Sequence, residues 1–231
     1  MALSYFDKIA KKYDSWFDTK VGRYVLSTEK RLVKELLPEV KDKLVLDLGC
    51  GTGLFTELVL SAKKVFGLDL SKNMLAIAKD KLKKAYFVNG DAYFLPFKSS
   101  IFDFVLSITV FEFIKEPEKV ISEIYRVLKP GGKTLIGTMN ANSSWFFFKR
   151  LKSIFVETAY RYARFYTPYE LERLFKKAGF VEVETRGIIY FPSFFPFLKL
   201  AEKLDEKLNK VLKFAGAFIL LRATKPDGGK K

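Results

Sequence analysis

Histidine is absent from this sequence, and so is glutamine. Without histidine the usual neutral-pH general base is missing, as is the usual nitrogen ligand for a transition metal, so no metal site is expected. Any proton acceptor must be Asp, Glu, Tyr, Lys or water. Cysteine occurs once, at Cys50, which excludes an intrachain disulfide and a cysteine-rich zinc site. No apolar run reaches roughly 18 residues, and the N-terminus lacks a signal-peptide pattern, so a soluble cytoplasmic protein is expected. Acids are in short supply too: 26 Asp and Glu face 41 Lys and Arg, a net charge of +15. Such a balance favours anionic partners, whether nucleic acid, an anionic membrane surface or an acidic metabolite. Scarce amides with many charges point to a heat-loving source.

Apolar residues are plentiful, at 49% of 231 positions, enough to bury one substantial core. A single domain over residues 1–231 with insertions fits better than two domains. The most informative stretch is Leu44-Val-Leu-Asp-Leu-Gly-Cys-Gly-Thr-Gly53. Leu44 to Leu48 form a short apolar run broken only by Asp47, which suits a strand of a parallel sheet covered on both faces. Gly49, Gly51 and Gly53 allow positive φ angles and close approach of backbone to a ligand. A helix is expected to follow near 54–62, its free N–H groups favouring an anionic group. The glycine spacing differs from the dinucleotide fingerprint, in which the third glycine follows two intervening residues. Further strands are expected to end at Asp69 and at Asn89-Gly90-Asp91-Ala92, so three strand-end acids surround one glycine turn. Asp69 suits a ribose diol, although it could instead cap a helix opening near Ser71.

Five pieces of the chain, in order and spacing, resemble the class I S-adenosylmethionine-dependent methyltransferases, particularly the group that includes the ubiquinone and menaquinone methyltransferases. They are Val45 to Gly53, Gly67-Leu-Asp-Leu-Ser71, Gly90-Asp-Ala92 with Leu95-Pro-Phe97, Phe102-Asp-Phe-Val-Leu-Ser107 and Arg126-Val-Leu-Lys-Pro-Gly-Gly132. The resemblance implies an α/β fold, a Rossmann-like three-layer sandwich with a seven-stranded, mostly parallel sheet in the order 3-2-1-4-5-7-6 and the last strand antiparallel. It implies S-adenosyl-L-methionine as cofactor. Asp47 and the backbone of Gly49, Cys50, Gly51 and Gly53 would surround its methionine end. Asp69 would take both ribose hydroxyls, Leu70 would pack on the adenine, and Asp91 would meet the adenine amino group with Ala92 beside it. Ser107 would lie near the methionine moiety. Tyr5 to Asp14 resembles the lid of family members, with Tyr13 the favoured lid residue. For Ser107 and Tyr13, plain packing is the competing reading.

Strands are expected near 44–48, 64–69, 85–89, 102–108, 133–139, 180–186 and 217–224. Helices are expected near 5–17, 24–37, 54–62, 72–84, 117–128, 168–178 and 199–213. An N-terminal lid of about 1–40 and insertions at about 140–166 and 188–213 would form a helical cap. The first insertion carries Trp145-Phe-Phe-Phe148 among basic residues and reads as a basic amphipathic helix, able to touch an anionic membrane. An apolar cap suits in-line methyl transfer, which an enclosed, dry site favours. The acceptor expected is therefore a small or lipid-like hydrophobic molecule, with Tyr5, Tyr13 and Glu112 as the polar candidates beside it. The charge motivates an RNA or protein methyltransferase as the alternative, and a cofactor-binding protein without transferase activity is a third class. Against base-amino methylation, Ser107-Ile-Thr-Val110 replaces the Asn/Asp-Pro-Pro-aromatic sequence of such members. Against cytosine C5 methylation, no cysteine exists outside the glycine turn.

Overall fold

The structure, a computed structural model, describes residues 2–143, 159–191, 198–212 and 215–228. Seven strands, β1 (Leu44–Leu48), β2 (Lys64–Asp69), β3 (Tyr86–Asn89), β4 (Phe102–Ile108), β5 (Leu128–Met139), β6 (Val181–Ile188) and β7 (Phe218–Thr224), form one sheet. Their order is β3-β2-β1-β4-β5-β7-β6. Pairings from β3 to β5 are parallel, whereas β7 runs antiparallel to both β5 and β6. This is the sheet expected from the sequence. Among the described residues the α-helices are α1 (Ala2–Tyr13), α2 (Lys20–Leu36), α3 (Lys72–Lys81), α4 (Pro117–Val127), α5 (Pro168–Lys177) and α6 (Leu198–Val211).

The central strands carry apolar residues on both faces, and each face has its own core. Val45, Phe104, Leu106, Leu135, Phe218 and Leu220 meet Leu32, Val33 and Leu36 of α2 and Ala201 of α6. Leu46, Leu48, Val105, Ile136, Ile219 and Leu221 meet Val120, Ile121 and Ile124 of α4 and Leu171 and Phe175 of α5. Alternate strand residues point to opposite faces, so the near-continuous apolar runs are what a sheet covered on both sides requires.

Two elements depart in type from expectation. The segment after the glycine turn forms a single 3-10 turn, Thr56–Val59, in place of an α-helix over 54–62. Leu58 N–H bonds Phe55 C=O and Ala62 N–H bonds Val59 C=O, both three residues back. Thr56 and Val59 are drawn fully inside, and the Thr56 hydroxyl is spent on Asp47 at 2.6 Å. A β-branched residue whose hydroxyl is committed inward favours the tight turn over continued α-helix. No α-helix N-terminus therefore faces the glycine turn, and the dipole argument for an anion there does not apply. At the N-terminus, α1 stops at Tyr13 and a 3-10 turn, Asp14–Asp18, leads to α2. Gly22 permits this junction, since a Cβ there would stand 2.1 Å from the Trp16 carbonyl oxygen.

Helix α6 is tied to the sheet by a buried carboxylate. Asp205 accepts hydrogen bonds from the Tyr24 hydroxyl of α2 and, at 2.8 Å, from the Tyr190 N–H just beyond β6. Removing one partner of a buried charged network costs about 2 kcal/mol. Asp205→Ala is expected to lower the melting temperature by roughly 4–8 °C. A melt unchanged within 1 °C would show the network to be dispensable.

Candidate functional site

The C-terminal ends of β1 and β4 open onto a cleft lined by Tyr13, Asp47, Gly49, Cys50, Gly51, Thr52, Leu54, Phe55, Ile108 and Thr109. Its floor is the glycine turn. Gly49, Gly51 and Gly53 take φ values of 73°, 52° and 85°, the left-handed region that favours glycine. A Cβ at Gly49 would meet a Val110 methyl at 2.2 Å, and one at Gly53 would meet Leu82 Cδ1 at 2.6 Å. A Cβ at Gly51 would meet nothing within 4 Å. The first and third glycines thus let neighbouring side chains close in, while the middle one leaves bare backbone facing open space.

Two acids flank that floor. Asp69, ending β2, accepts hydrogen bonds from Gly51 N–H on Oδ2 and from Ser71 N–H on Oδ1, each 2.8 Å. Helix α3 is capped by Ser71, whose hydroxyl accepts from Met74 N–H at 3.1 Å, so Asp69 is not the cap. Burial pushes the Asp69 pKa up, the two N–H bonds oppose this, and nearby Asp7 adds to the rise. Asp47 lies deeper, and burial pushes its pKa to about 7, with the Thr56 hydrogen bond opposing and the charge of Asp69 assisting. Burial, with Asp47 and Asp69 nearby, also pushes the Cys50 thiol well above its ordinary value. A thiol so placed stays protonated and fills space.

The remaining sequence-derived candidates sit at varied distances from this floor. Tyr13 is in the cleft wall. Leu70 is a large apolar side chain 48% exposed beside Asp69, and the Asn89 amide holds the carbonyls of Asp69 and Leu70 at 3.0 and 2.9 Å. Asp91, just past β3, accepts from Tyr93 N–H at 3.0 Å, with half-buried Ala92 between them. Ser107 is fully buried and donates to Leu48 C=O at 2.9 Å. Its hydroxyl joins β4 to β1 and does not line the cleft. Glu112 is buried in a 3-10 turn, Phe111–Phe113, and its backbone carbonyl accepts from Arg164 N–H at 2.7 Å. Tyr5 stands edge-on to Phe6, and Phe6 edge-on to Phe113 at 5.0 Å. Neither Tyr5 nor Glu112 lines the cleft. The aromatic segments 145–148 and 194–197 lie outside the described residues.

Sequence reasoning did not single out the Thr52 side chain, Leu54, Phe55, Ile108 and Thr109 in the wall, or Asp7 and Asp14 within the expected lid segment. Thr109 holds φ 56°, a conformation that a β-branched residue avoids, and nothing in its local sequence announces this. Asp7 and Asp14 carry a visible signal, being seven residues or two helical turns apart, with Asp14 the first residue past α1.

Residues 46–136 match the family described as "Methyltransferase domain". Over 80% of this chain and 90% of its own length, a demethylmenaquinone methyltransferase from Geobacillus is 30% identical. The chain belongs to the class I S-adenosylmethionine-dependent methyltransferases. An uncharacterised protein of Methanocaldococcus jannaschii is 33% identical over 96% of this chain and all of its own. The crystal structure of an S-adenosylmethionine-dependent methyltransferase from Thermotoga maritima superposes with a TM-score of 0.77, at 28% identity over 97% of this chain and all of that one. In this methyltransferase the matched residues include the glycine turn, Asp69, Asp91 and β4. Among the described residues, no helix is long and apolar enough to cross a membrane, and no group of three or more Cys, Asp and Glu could hold a metal ion.

Proposed function

We propose that this chain transfers a methyl group from S-adenosyl-L-methionine to a small or lipid-like hydrophobic acceptor. The observation that carries the reading is the bare backbone at Gly51, bonded to the Asp69 carboxylate and facing the cleft. A glycine turn of this kind with a strand-end carboxylate fits an adenosyl group: hydroxyl donors for Asp69, an apolar ring face for Leu70, and room at Gly51 for close approach. The cofactor supplies an electrophilic methyl on a sulfonium sulfur. Asp69 would accept the ribose hydroxyls, Leu70 would cover the adenine, and Asp91 and Ala92 would meet its edge. Asp47 and the turn from Gly49 to Gly53 would hold the methionine end, with Tyr13 closing over it and Ser107 bracing the floor from beneath.

Residues 1–40 would serve as lid and the insertions 140–166 and 188–213 as cap over one domain. Enclosure removes water and holds the acceptor in line with methyl and sulfur, and such alignment is worth on the order of 7–11 kcal/mol. Positioning is then the main catalytic device, consistent with a chain that lacks histidine. A demethylmenaquinone methyltransferase among the relatives supports a hydrophobic acceptor.

Isothermal titration calorimetry tests the cofactor. Micromolar binding of S-adenosyl-L-methionine is expected, with no heat from NADH or ATP. Transfer of a labelled methyl group into a lipid extract, and not into an RNA or protein pool, is the expected result for the acceptor. Binding of NADH or ATP in place of the sulfonium nucleoside would overturn the first, and label entering RNA or protein the second.

A further inference from the structure

Helix α1 lies along α3 and is pinned to it at its middle and just past its C-terminal end. At its middle, the Ser71 hydroxyl donates to Asp7 Oδ1 and the Asn73 amide reaches Asp7 C=O at 3.3 Å. At its end, Lys81 Nζ donates to Asp14 Oδ2 at 2.7 Å. Ser71 caps the first turn of α3, and Lys81 is its last residue. The two helices therefore run in the same direction, with Asp7 and Asp14, two turns apart, facing the two ends of α3. The other oxygen of Asp14 accepts from the Thr52 hydroxyl at 2.6 Å. Thr52 sits between Gly51 and Gly53 and is 1% exposed. Leu82, next after α3, is the side chain that packs over Gly53. Asp14 thus stands where three pieces meet: the N-terminal segment, the glycine turn and the end of α3. Its neighbour Tyr13 is in the cleft wall.

We propose that Asp14 is a positioning residue, a clasp that holds the N-terminal helix shut over the methionine end of the bound cofactor. The inference rests on the reading that this cleft takes S-adenosyl-L-methionine. The bond to Thr52 ties the lid to the floor it covers, so the lid cannot lift without either breaking that contact or shifting the turn. The bond to Lys81 holds the same carboxylate from the side. Asp7 forms the second point, beside Asp69 and hence beside the ribose. A helix fastened at its middle and just past its C-terminal end cannot lift from the cleft by fraying at its free N-terminus, so departure of the cofactor requires the clasp to open. The clasp joins residues of this chain only, so it holds the free lid as well as the loaded one, and its opening gates entry and departure of the cofactor alike.

The test uses the full chain and tritiated S-adenosyl-L-methionine, chased by excess unlabelled cofactor. Asp14→Ala is expected to raise the dissociation and association rates together, each about ten-fold, with Kd moving by less than about three-fold and the melting temperature falling by no more than a few degrees. Thr52→Val, which keeps the shape and loses the hydroxyl, should act in the same direction, whereas Thr52→Ser should restore slow release. In the double variant Asp14→Ala/Thr52→Val the effects should not multiply, because both remove one contact. Without cofactor, amide hydrogen exchange of residues 2–13 should quicken in Asp14→Ala. A dissociation rate within two-fold of wild type, or unchanged exchange in that helix, overturns the clasp. Absence of cofactor binding to the wild-type chain overturns the proposed function itself, and the exchange measurement still decides whether Asp14 holds the helix.

Discussion

Replacing Asp69 by Ala is expected to weaken S-adenosyl-L-methionine binding by at least a hundred-fold while leaving the cofactor-free fold nearly as stable as before. The two halves of this expectation have different origins. Toward the cofactor, the carboxylate offers lone pairs to two hydroxyls, and hydrogen bonds to charged groups contribute about 1.5–3 kcal/mol each. Losing both is worth on the order of 3 kcal/mol or more, hence the factor of a hundred. The same oxygens also anchor Gly51 N–H and Ser71 N–H, so the glycine turn would lose its hold on β2 as well. Toward the fold, the balance is close. The Asp69 pKa is raised, chiefly by burial, so its ionised form burdens the native state above its ordinary titration range. Removing it relieves that burden and orphans two N–H groups, at about 1–3 kcal/mol each when fully buried. Asp69→Asn is not a conservative choice, because its NH₂ would confront one of the two N–H donors. Calorimetry and a thermal melt on the same samples separate the effects. A tight-binding Asp69→Ala variant would remove this residue from the cofactor site.

Residues that act within one element could be read directly, whereas those that act between elements could not. The apolar run of β1, the three glycines and the strand-end acids are local features, and the two-faced burial of β1 and β4 follows from their composition. The 3-10 turn at Thr56–Val59 could not be read locally, because it depends on Thr56 finding Asp47 nine residues back. Ser107 looked like a strand-end residue facing a ligand, yet its hydroxyl meets Leu48 C=O, 59 residues away in sequence. Alternation along β4 gives the two faces, but not which neighbouring carbonyl a small polar residue will find once β1 docks beside it. Thr52 and Asp14 are 38 residues apart, and only the packing of α1 on α3 brings them together. Glu112, a polar candidate for the acceptor side, lies in a turn that buries it. Periodicity reports burial along one segment; hydrogen bonds across segments are decided by docking.

Asp47 should make both stability and cofactor binding depend on pH near neutrality. Its pKa in the folded chain is about 7 against an ordinary 3.8, because burial disfavours the charged form. Between those values the native state holds a proton that the unfolded chain has lost. Stability from this group is therefore fully present below about pH 4 and is lost as pH rises to 7, at most on the order of 4 kcal/mol. Asp69, also raised, acts in the same sense. Asp103 and Glu123 are lowered, by backbone and side-chain hydrogen bonds that outweigh burial, and they act in the opposite sense, losing stability as pH falls. The difference between wild type and Asp47→Asn isolates the one residue, since Asn keeps an oxygen for the Thr56 hydroxyl and cannot ionise. Cofactor-free Asp47→Asn should melt several degrees above wild type at pH 8, and the two curves should converge near pH 4. Binding is expected to show the reverse preference. S-adenosyl-L-methionine brings positive charge to the cleft and stabilises the ionised carboxylate, so wild type should release a fraction of a proton on binding near pH 6.5. In calorimetry, the apparent binding enthalpy should then vary with the ionisation enthalpy of the buffer. Asp47→Asn should lose most of that variation and about ten-fold in affinity. Melting curves of wild type and Asp47→Asn that stay parallel from pH 4 to pH 8 would show that Asp47 does not titrate in this range.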